Sequence, residues 1–506
     1  MLELRLAARA PGDERRTILK FSAAAGLATA AAIVILITQF DFPPLVDWPN
    51  HMARHYLEAL ALSGQMLPPG YAIEYAVMPN LGSDLIVPYL VMAFGHITAS
   101  KTFLILSIAS YFAGPALFVL QQGSASRASL AAACLLLPWL MAGTFFWGFI
   151  NYYSGVGLAF LAAANHARLA KKDRVPLWQL TVQAALLVLL YLWHLTSIGI
   201  FLVLAGCHAL SSLSVSTDRL KSFRRQILLA ASAIPALVVM ISVMLTPQLN
   251  ALSGGLVWSA PLRKLTLIGA YFVAYMPLID MATLALWCLA IVLMFKFKNP
   301  APRALTFPAL SALAFLVLYV ILPVEVGTTS GADIRMLPPL LICGVAALAT
   351  LPLSRLAPIG LSLILIASVV RTTSIAFAWS HMEHDARALS TYFRNVAPNA
   401  RILVLTLDRA TKQNFQSHLM GWAVPQNGAY VSNLFSYAGQ QTLSLLGPKT
   451  DAILIPTDAG HSVDIAAVRA NFDYVWVFNP ASGAVALPSD WKPVLGEGAG
   501  KLFKVQ

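Results

Sequence analysis

The sequence predicts a polytopic α-helical membrane protein of about eleven transmembrane helices, with a small α/β domain at its C-terminal end outside the cytoplasm. Three observations predict it. Of 506 residues, 58% are hydrophobic and 11% charged, and mean hydropathy is +0.71. Soluble domains carry about 25% charged residues, so a wholly soluble, disordered or fibrous chain is excluded. Second, apolar stretches of roughly 17 to 25 residues, the length that crosses a bilayer as a helix, recur along most of the chain. Third, the apolar runs shorten into strand-sized pieces after about Ser380.

Arg15, Arg16 and Lys20 precede a first apolar run from Phe21 to about Phe40. A signal peptide would have a shorter run and a small-residue cleavage site. Here the run ends in Thr-Gln-Phe-Asp-Phe-Pro-Pro, so a retained first helix is expected. The remaining spans are expected near 101–121, 129–147, 152–169, 176–193, 195–212, 226–246, 281–297, 304–322, 337–353 and 357–377. The net charge is +12 (34 Lys and Arg against 22 Asp and Glu). It concentrates in three short loops: Arg168 with Lys171-Lys172-Asp173-Arg174, Asp218 to Arg225, and Lys296 to Arg303. Such clusters anchor cytoplasmic loops and do not point to nucleic acid. Placing all three inside with the amino terminus puts the C-terminal region on the opposite face.

That count holds only if residues 84–98 are no span. The stretch is short, contains Pro88, and is bounded by Asp84 and His96, so it reads as a helix on or dipping into the outer surface. Residues 265–279 read the same way. The first external loop then runs from about 41 to 100. The expected division is a membrane module, 1–378, and an external α/β domain, 379–506.

In the latter, strands are expected at Arg401 to Asp408, Asp451 to Pro456 and Tyr474 to Phe478, alternating with helices at 382–397 and 463–472. It shows neither a Gly-rich phosphate loop nor a nucleophile elbow, which suits a lid or scaffold. Cys134, Cys207, Cys288 and Cys343 each sit in an apolar run and read as small core hydrophobes. His381 and His384 have a metal-compatible spacing, but a polar helix start explains them and no metal site is assigned.

Ionisable groups at the membrane boundary are costly unless used, and the densest set follows the first helix: Asp41-Phe-Pro-Pro-Leu-Val-Asp47-Trp-Pro-Asn-His51-Met-Ala-Arg54-His55-Tyr56-Leu-Glu58. Pro43, Pro44 and Pro49 stop the helix and hold the backbone extended. Beyond Pro49, helical spacing gathers His51, Arg54 or His55, and Glu58 on one side. A carboxylate here could take a proton from a sugar hydroxyl or coordinate a divalent cation. Alternatively, Asp47 simply caps the following helix.

These residues resemble the first periplasmic loop of GT-C glycosyltransferases, in the aminoarabinose and protein mannosyltransferase branch. The resemblance lies in the Asp after helix one, the helix Met-Ala-Arg-His-Tyr-Leu-Glu-Ala-Leu, and Ser-Gly-Gln-Met-Leu-Pro-Pro. The Pro-containing surface helix ending in Phe94-Gly95 extends it, over about the first 120 residues. Trp48 stands where the family has a second acid, and Met78-Pro79-Asn80 replaces a Lys-Pro-Pro. The resemblance implies transfer of a sugar from a polyprenyl-phosphate donor to a lipid, glycan or protein acceptor at the periplasmic face of a bacterial inner membrane. It implies Asp47 as general base, with Asp41 as the alternative, and inversion at the anomeric carbon. The departing lipid phosphate needs cations or donors, for which Arg335, His194, Arg263 and Lys264 are candidates, beside His51 and Arg54 in the loop. Phe145 to Tyr153 could stack on a sugar or form an aromatic belt. Competing readings are a transporter or lipid flippase, which would show internal repeats and mid-membrane polar groups, and a non-catalytic envelope assembly protein.

Overall fold

The structure, a computed structural model, describes residues 11–122, 127–245, 255–297, 306–327, 329–406, 418–437, 439–450, 453–457, 460–478, 487–496 and 500–505. Four-residue turns aside, its helices are α1 (Pro11–Gln39), α2 (Trp48–Leu62), α3 (Val87–Gln122), α4 (Arg127–Cys134), α5 (Ile150–Ala170), α6 (Leu177–Trp193), α7 (Leu195–Val215), α8 (Arg219–Ala231), α9 (Ile234–Met244), α10 (Pro261–Phe272), α11 (Pro277–Met294), α12 (Phe307–Ile321), α13 (Leu337–Leu348), α14 (Ala357–Arg394) and α15 (Ile465–Asn471). Each apolar stretch read from the sequence contains helix. Among the described residues six helices are long and apolar enough to cross a membrane, or up to seven if the bent pair α8 and α9 counts as one. Leu177–Trp193, Phe307–Ile321 and Ile334–Leu348 are shorter apolar helices. The chain is thus a multi-pass helical protein.

It divides into two compact units: Met1–Ile37 with Ile105–Thr144 and Asn151–Phe377, and Thr38–Leu104 with Phe145–Ile150 and Ala378–Gln506. Within the first unit, α3 and α5 touch backbone to backbone. A methyl on Gly114 would lie 1.9 Å from the Gly157 carbonyl, so only glycine permits this approach, the usual small-residue device of helices without a hydrophobic drive between them. An ion pair also closes inside this unit. Arg371 on α14 donates to Asp280 on α11 and to the Met141 carbonyl, and its guanidinium lies 4.8 Å from the Trp139 ring centroid. Asp280 in turn accepts from the Ala274 amide at 2.8 Å. The two buried charges compensate one another, and each has a further backbone partner.

The second unit carries a five-stranded sheet among its described residues. Its strands are β1 (Arg401–Thr406), β2 (Tyr430–Val431), β3 (Tyr474–Phe478), β4 (Lys492–Leu495) and β5 (Gly500–Lys504), in the order β4-β5-β3-β1-β2. β3 runs parallel to β1, with Tyr474 opposite Ile402, and antiparallel to β5. All five residues of β3 are buried, as a continuous Tyr-Val-Trp-Val-Phe run requires of a strand covered on both faces.

Four expectations need adjustment. The helix expected at 382–397 is continuous with the last apolar stretch: α14 runs unbroken to Arg394, because neither Gly nor Pro interrupts it after Gly360. The strand expected at 451–456 appears as Leu454–Thr457, paired with Gly460–Val463 in a separate hairpin; residues 451 and 452 lie outside the described residues, as do Leu407, Asp408 and 298–303 of the third basic loop. Residues 87–94 are helical as expected, but the helix resumes after a single break at Gly95, whose φ of 76° and ψ of 162° leave the helical region. On 87–94, Tyr89, Met92 and Phe94 are exposed, giving it an apolar outer face. Finally, Cys134, Cys207 and Cys343 are buried but Cys288 is exposed.

Candidate active site

Asp47 is positioned almost entirely by main chain. The Leu45 amide bonds the Pro43 carbonyl in a tight turn at 2.8 Å, a geometry the two prolines favour. The Val46 and Asp47 amides then donate to the Phe146 and Trp147 carbonyls at 3.0 and 3.1 Å. Gly148 closes this clamp with a φ of +79°, and a methyl on it would sit 2.7 Å from the Asp47 and Trp48 nitrogens. On the other side Trp48 is fully buried. Its indole donates to Ser100 Oγ at 2.8 Å and stacks on Phe103 with ring planes 8° apart. Pro49 suits the first turn of α2, where its missing N–H costs nothing.

The capping alternative fails here. Asp47 has helical dihedrals (φ −89°, ψ −12°), and its carboxylate makes no capping hydrogen bond. That side chain, 17% exposed, has its Oδ1 3.6 Å from Nε2 of His418. Asn50 Nδ2 lies 2.8 Å from His418 Nδ1 and 3.5 Å from the Asn433 carbonyl, so the amide donates to Nδ1 and the ring proton resides on Nε2, facing Asp47. Burial lowers the His418 pKa to about 4, so the imidazole that faces the carboxylate is neutral at physiological pH, in contact with it but beyond hydrogen-bond distance. Phe435 packs edge-on against both His418 and His51. Gly421 lets this segment seat on α2: a methyl there would be 2.5 Å from the Pro49 carbonyl.

Behind Asp47 lies a second layer. Arg54 is buried and forks onto Asp84, Nε to Oδ1 at 2.8 Å and Nη2 to Oδ2 at 3.1 Å, and its Nη1 donates to His51 Nδ1 at 3.2 Å. Burial alone would raise the Asp84 carboxyl; the Arg54 guanidinium outweighs it and holds the group well below the usual range. Burial, with Arg54 and His55 beside it, keeps His51 neutral. His55 and Glu58 form the remaining pair, Nδ1 to Oε2 at 2.8 Å. Burial lowers His55 to about 3 and drives Glu58 well above the carboxylate range, so the pair is neutral, with the Glu58 hydroxyl donating to Nδ1. Thr442 donates to the other Glu58 oxygen. The spacing argument thus gathered these side chains correctly, but the geometry spends Arg54 on the fold. Donor atoms of His55, Glu58 and Asp84 lie within 4.8 Å of one another, as a cation could use. Arg54 already supplies the positive charge on Asp84, so the set fits a closed polar network better than a metal.

Asp41 is held differently. Its Oδ1 accepts from Lys101 at 2.6 Å and its Oδ2 is 3.4 Å from Arg387, while its amide and that of Phe42 donate to Glu383. Its carboxylate is thus engaged by two cationic side chains.

In the first unit, the cationic candidates separate. The structure brings both His194 and Arg335 to Tyr152: the imidazole is edge-on with centroids 5.5 Å apart, and the guanidinium lies 5.9 Å from the ring centroid. The Tyr152 hydroxyl donates to the Arg335 carbonyl. His194 caps α7 by accepting from the Thr196 amide on Nδ1 at 3.1 Å, which leaves its proton on Nε2. Lys264 is buried, its Nζ donating to the Tyr319 and Leu322 carbonyls at 2.8 and 2.5 Å and lying 3.4 Å from Asp333. Its donors serve the fold. Neighbouring Arg263 is exposed on α10.

Sequence reasoning missed His418, Asn50's role, Gly148 and Gly421. Nothing in the spacing joins Asn50 to a histidine 368 residues away, although a lone His in the apolar run His418-Leu-Met-Gly-Trp422 was a visible anomaly.

No protein-family model matches the sequence, and no curated protein does. Among solved structures, the chain is similar to ArnT from Cupriavidus metallidurans bound to undecaprenyl phosphate, with a TM-score of 0.53 at 11% identity over 95% of this chain and 98% of that one. The apo state of the same protein matches with a TM-score of 0.51 at 12% identity, with the same coverage. The chain therefore shares its fold, over nearly its whole length, with a GT-C membrane glycosyltransferase, the group that its first external loop resembles.

Proposed function

We propose that this protein is a glycosyltransferase that moves a sugar from a polyprenyl-phosphate donor to an acceptor hydroxyl, with Asp47 as general base. The observation that carries the reading is the Asp47 carboxylate. It is clamped through its backbone, makes no capping hydrogen bond, and faces a neutral imidazole 3.6 Å away. A carboxylate so placed can take the acceptor's proton as that oxygen attacks the anomeric carbon from the side opposite the leaving phosphate, with inversion. Negative charge then develops on the departing lipid phosphate, which needs complementary donors. The likeness to ArnT, solved with undecaprenyl phosphate, supports a polyprenyl carrier.

The accompanying topology is eleven crossings in a bacterial inner membrane, with the amino terminus cytoplasmic and the loop 41–100 and residues 379–506 periplasmic. The reaction as written uses no divalent cation. The test is transfer from a radiolabelled polyprenyl-phosphate sugar pool in inverted-side-controlled membrane vesicles. Asp47→Asn should cut turnover on the order of 10²–10⁴-fold while the purified variant melts as the parent does; unchanged turnover would refute the assignment.

A further inference from the structure

A second site lies on the second unit, in a cavity of about 310 Å³ that Asp47 does not line. Its wall is one face of α14: Arg387, Ser390, Thr391 and Arg394 follow at intervals of three, one and three residues, the spacing that stacks side chains along a helix. Asp41, His96 and Gln426 complete the polar lining. The two arginines are not equivalent. Arg387 is compensated, with Nε 3.0 Å from Glu383 and Nη2 3.4 Å from Asp41. Arg394 bonds only to neutral groups, the Ser390 carbonyl at 3.4 Å and its hydroxyl at 3.3 Å, and among the described residues no carboxylate lies within ion-pair reach of it. The cavity thus offers one uncompensated guanidinium, a second cation behind it, and the hydroxyls of Ser390 and Thr391. Its volume is at the small end of ligand sites, about right for one phosphorylated sugar.

We propose that this cavity binds a phosphomonoester group, with Arg394 as the principal contact and the Ser390 and Thr391 hydroxyls as further donors. A guanidinium forks onto phosphate oxygens better than onto neutral hydroxyls, and charge-assisted bonds of this kind are roughly twice as strong as neutral ones. The inference stands apart from the transferase reading, since binding is measured without turnover.

The experiment is titration calorimetry of the full-length protein in detergent with glucose 1-phosphate, inorganic phosphate and glucose. A parallel arm uses nanodiscs, with or without phosphatidic acid in phosphatidylcholine, to separate a lipid headgroup from a soluble ester. Glucose 1-phosphate should bind, glucose should not, and Arg394→Ala should weaken the phosphate ligands roughly tenfold or more, with partial recovery in Arg394→Lys. Arg174→Ala, which removes the same charge from an exposed loop, should leave affinity unchanged. Saturable protection by phosphatidic acid nanodiscs alone, lost in Arg394→Ala, would assign the group to a lipid. Equal binding of glucose and its phosphate, unaltered affinity in Arg394→Ala, or no binding in either arm would overturn the proposal.

Discussion

At the scale of single residues, the candidate site separates groups proposed to do chemistry from groups that hold the fold. Arg54 is of the second kind. Removing it leaves Asp84 buried without its fork, and Arg54→Ala should cost about 3–5 kcal/mol of stability, seen as a large fall in the melting temperature of the solubilised protein. His418 provides a pH test. Its pKa is near 4 when folded, against about 6.5 in an unfolded chain, so below pH 6.5 the unfolded state takes up the proton first. Its contribution is intact above that value and is lost as pH falls toward 4. Melting temperature should therefore decline between pH 7 and 4.5, and His418→Gln should flatten that slope; an identical slope would remove His418 from the account. Asp47, the acid cluster of the loop and the stacking of polar residues on α2 were legible from residue types and helical spacing. Its histidine partner was not, since contacts across hundreds of residues leave no periodic trace.

At the scale of elements, the clamp on Asp47 depends on a turn that only glycine makes comfortably. Gly148→Ala combines a positive φ with a contact of 2.7 Å to backbone nitrogen. It should destabilise by roughly 1–3 kcal/mol, and transfer should fall further than stability does, because the displaced atoms belong to Asp47. Equal residual activity per folded molecule would show that the turn only supports the fold. Every apolar stretch holds helix, because length and composition favour it, but 129–147 and 226–246 are broken within the stretch, which composition alone does not reveal. The extent of α14 was misjudged for the opposite reason. The change from apolar to polar sequence after Phe377 marks a change of surroundings, and a helix free of Gly and Pro beyond Gly360 need not end where its surroundings change. The hairpin at 454–463 escaped notice because a short apolar run does not say which strand it pairs with.

At the scale of the whole molecule, the charge distribution predicts which loops face which side. In a background lacking its four cysteines, a cysteine placed at Lys221 should react with an impermeant maleimide only in inverted vesicles, and one placed at Gln65 only in intact cells. The reverse pattern would put Asp47 in the cytoplasm and end the transferase assignment. The gathering of Thr38–Leu104 with Ala378–Gln506 into one compact unit could not be read from the sequence, where these segments are separated by most of the apolar helices. α14 carries a final consequence. Thirty-eight residues at 1.5 Å each make a rod of about 57 Å, whereas the hydrocarbon core measures about 30 Å. If its apolar half fills that slab, a nitroxide attached at position 394 should relax readily with aqueous nickel chelate and scarcely with oxygen dissolved in lipid, whereas one at Ile366 should do the reverse.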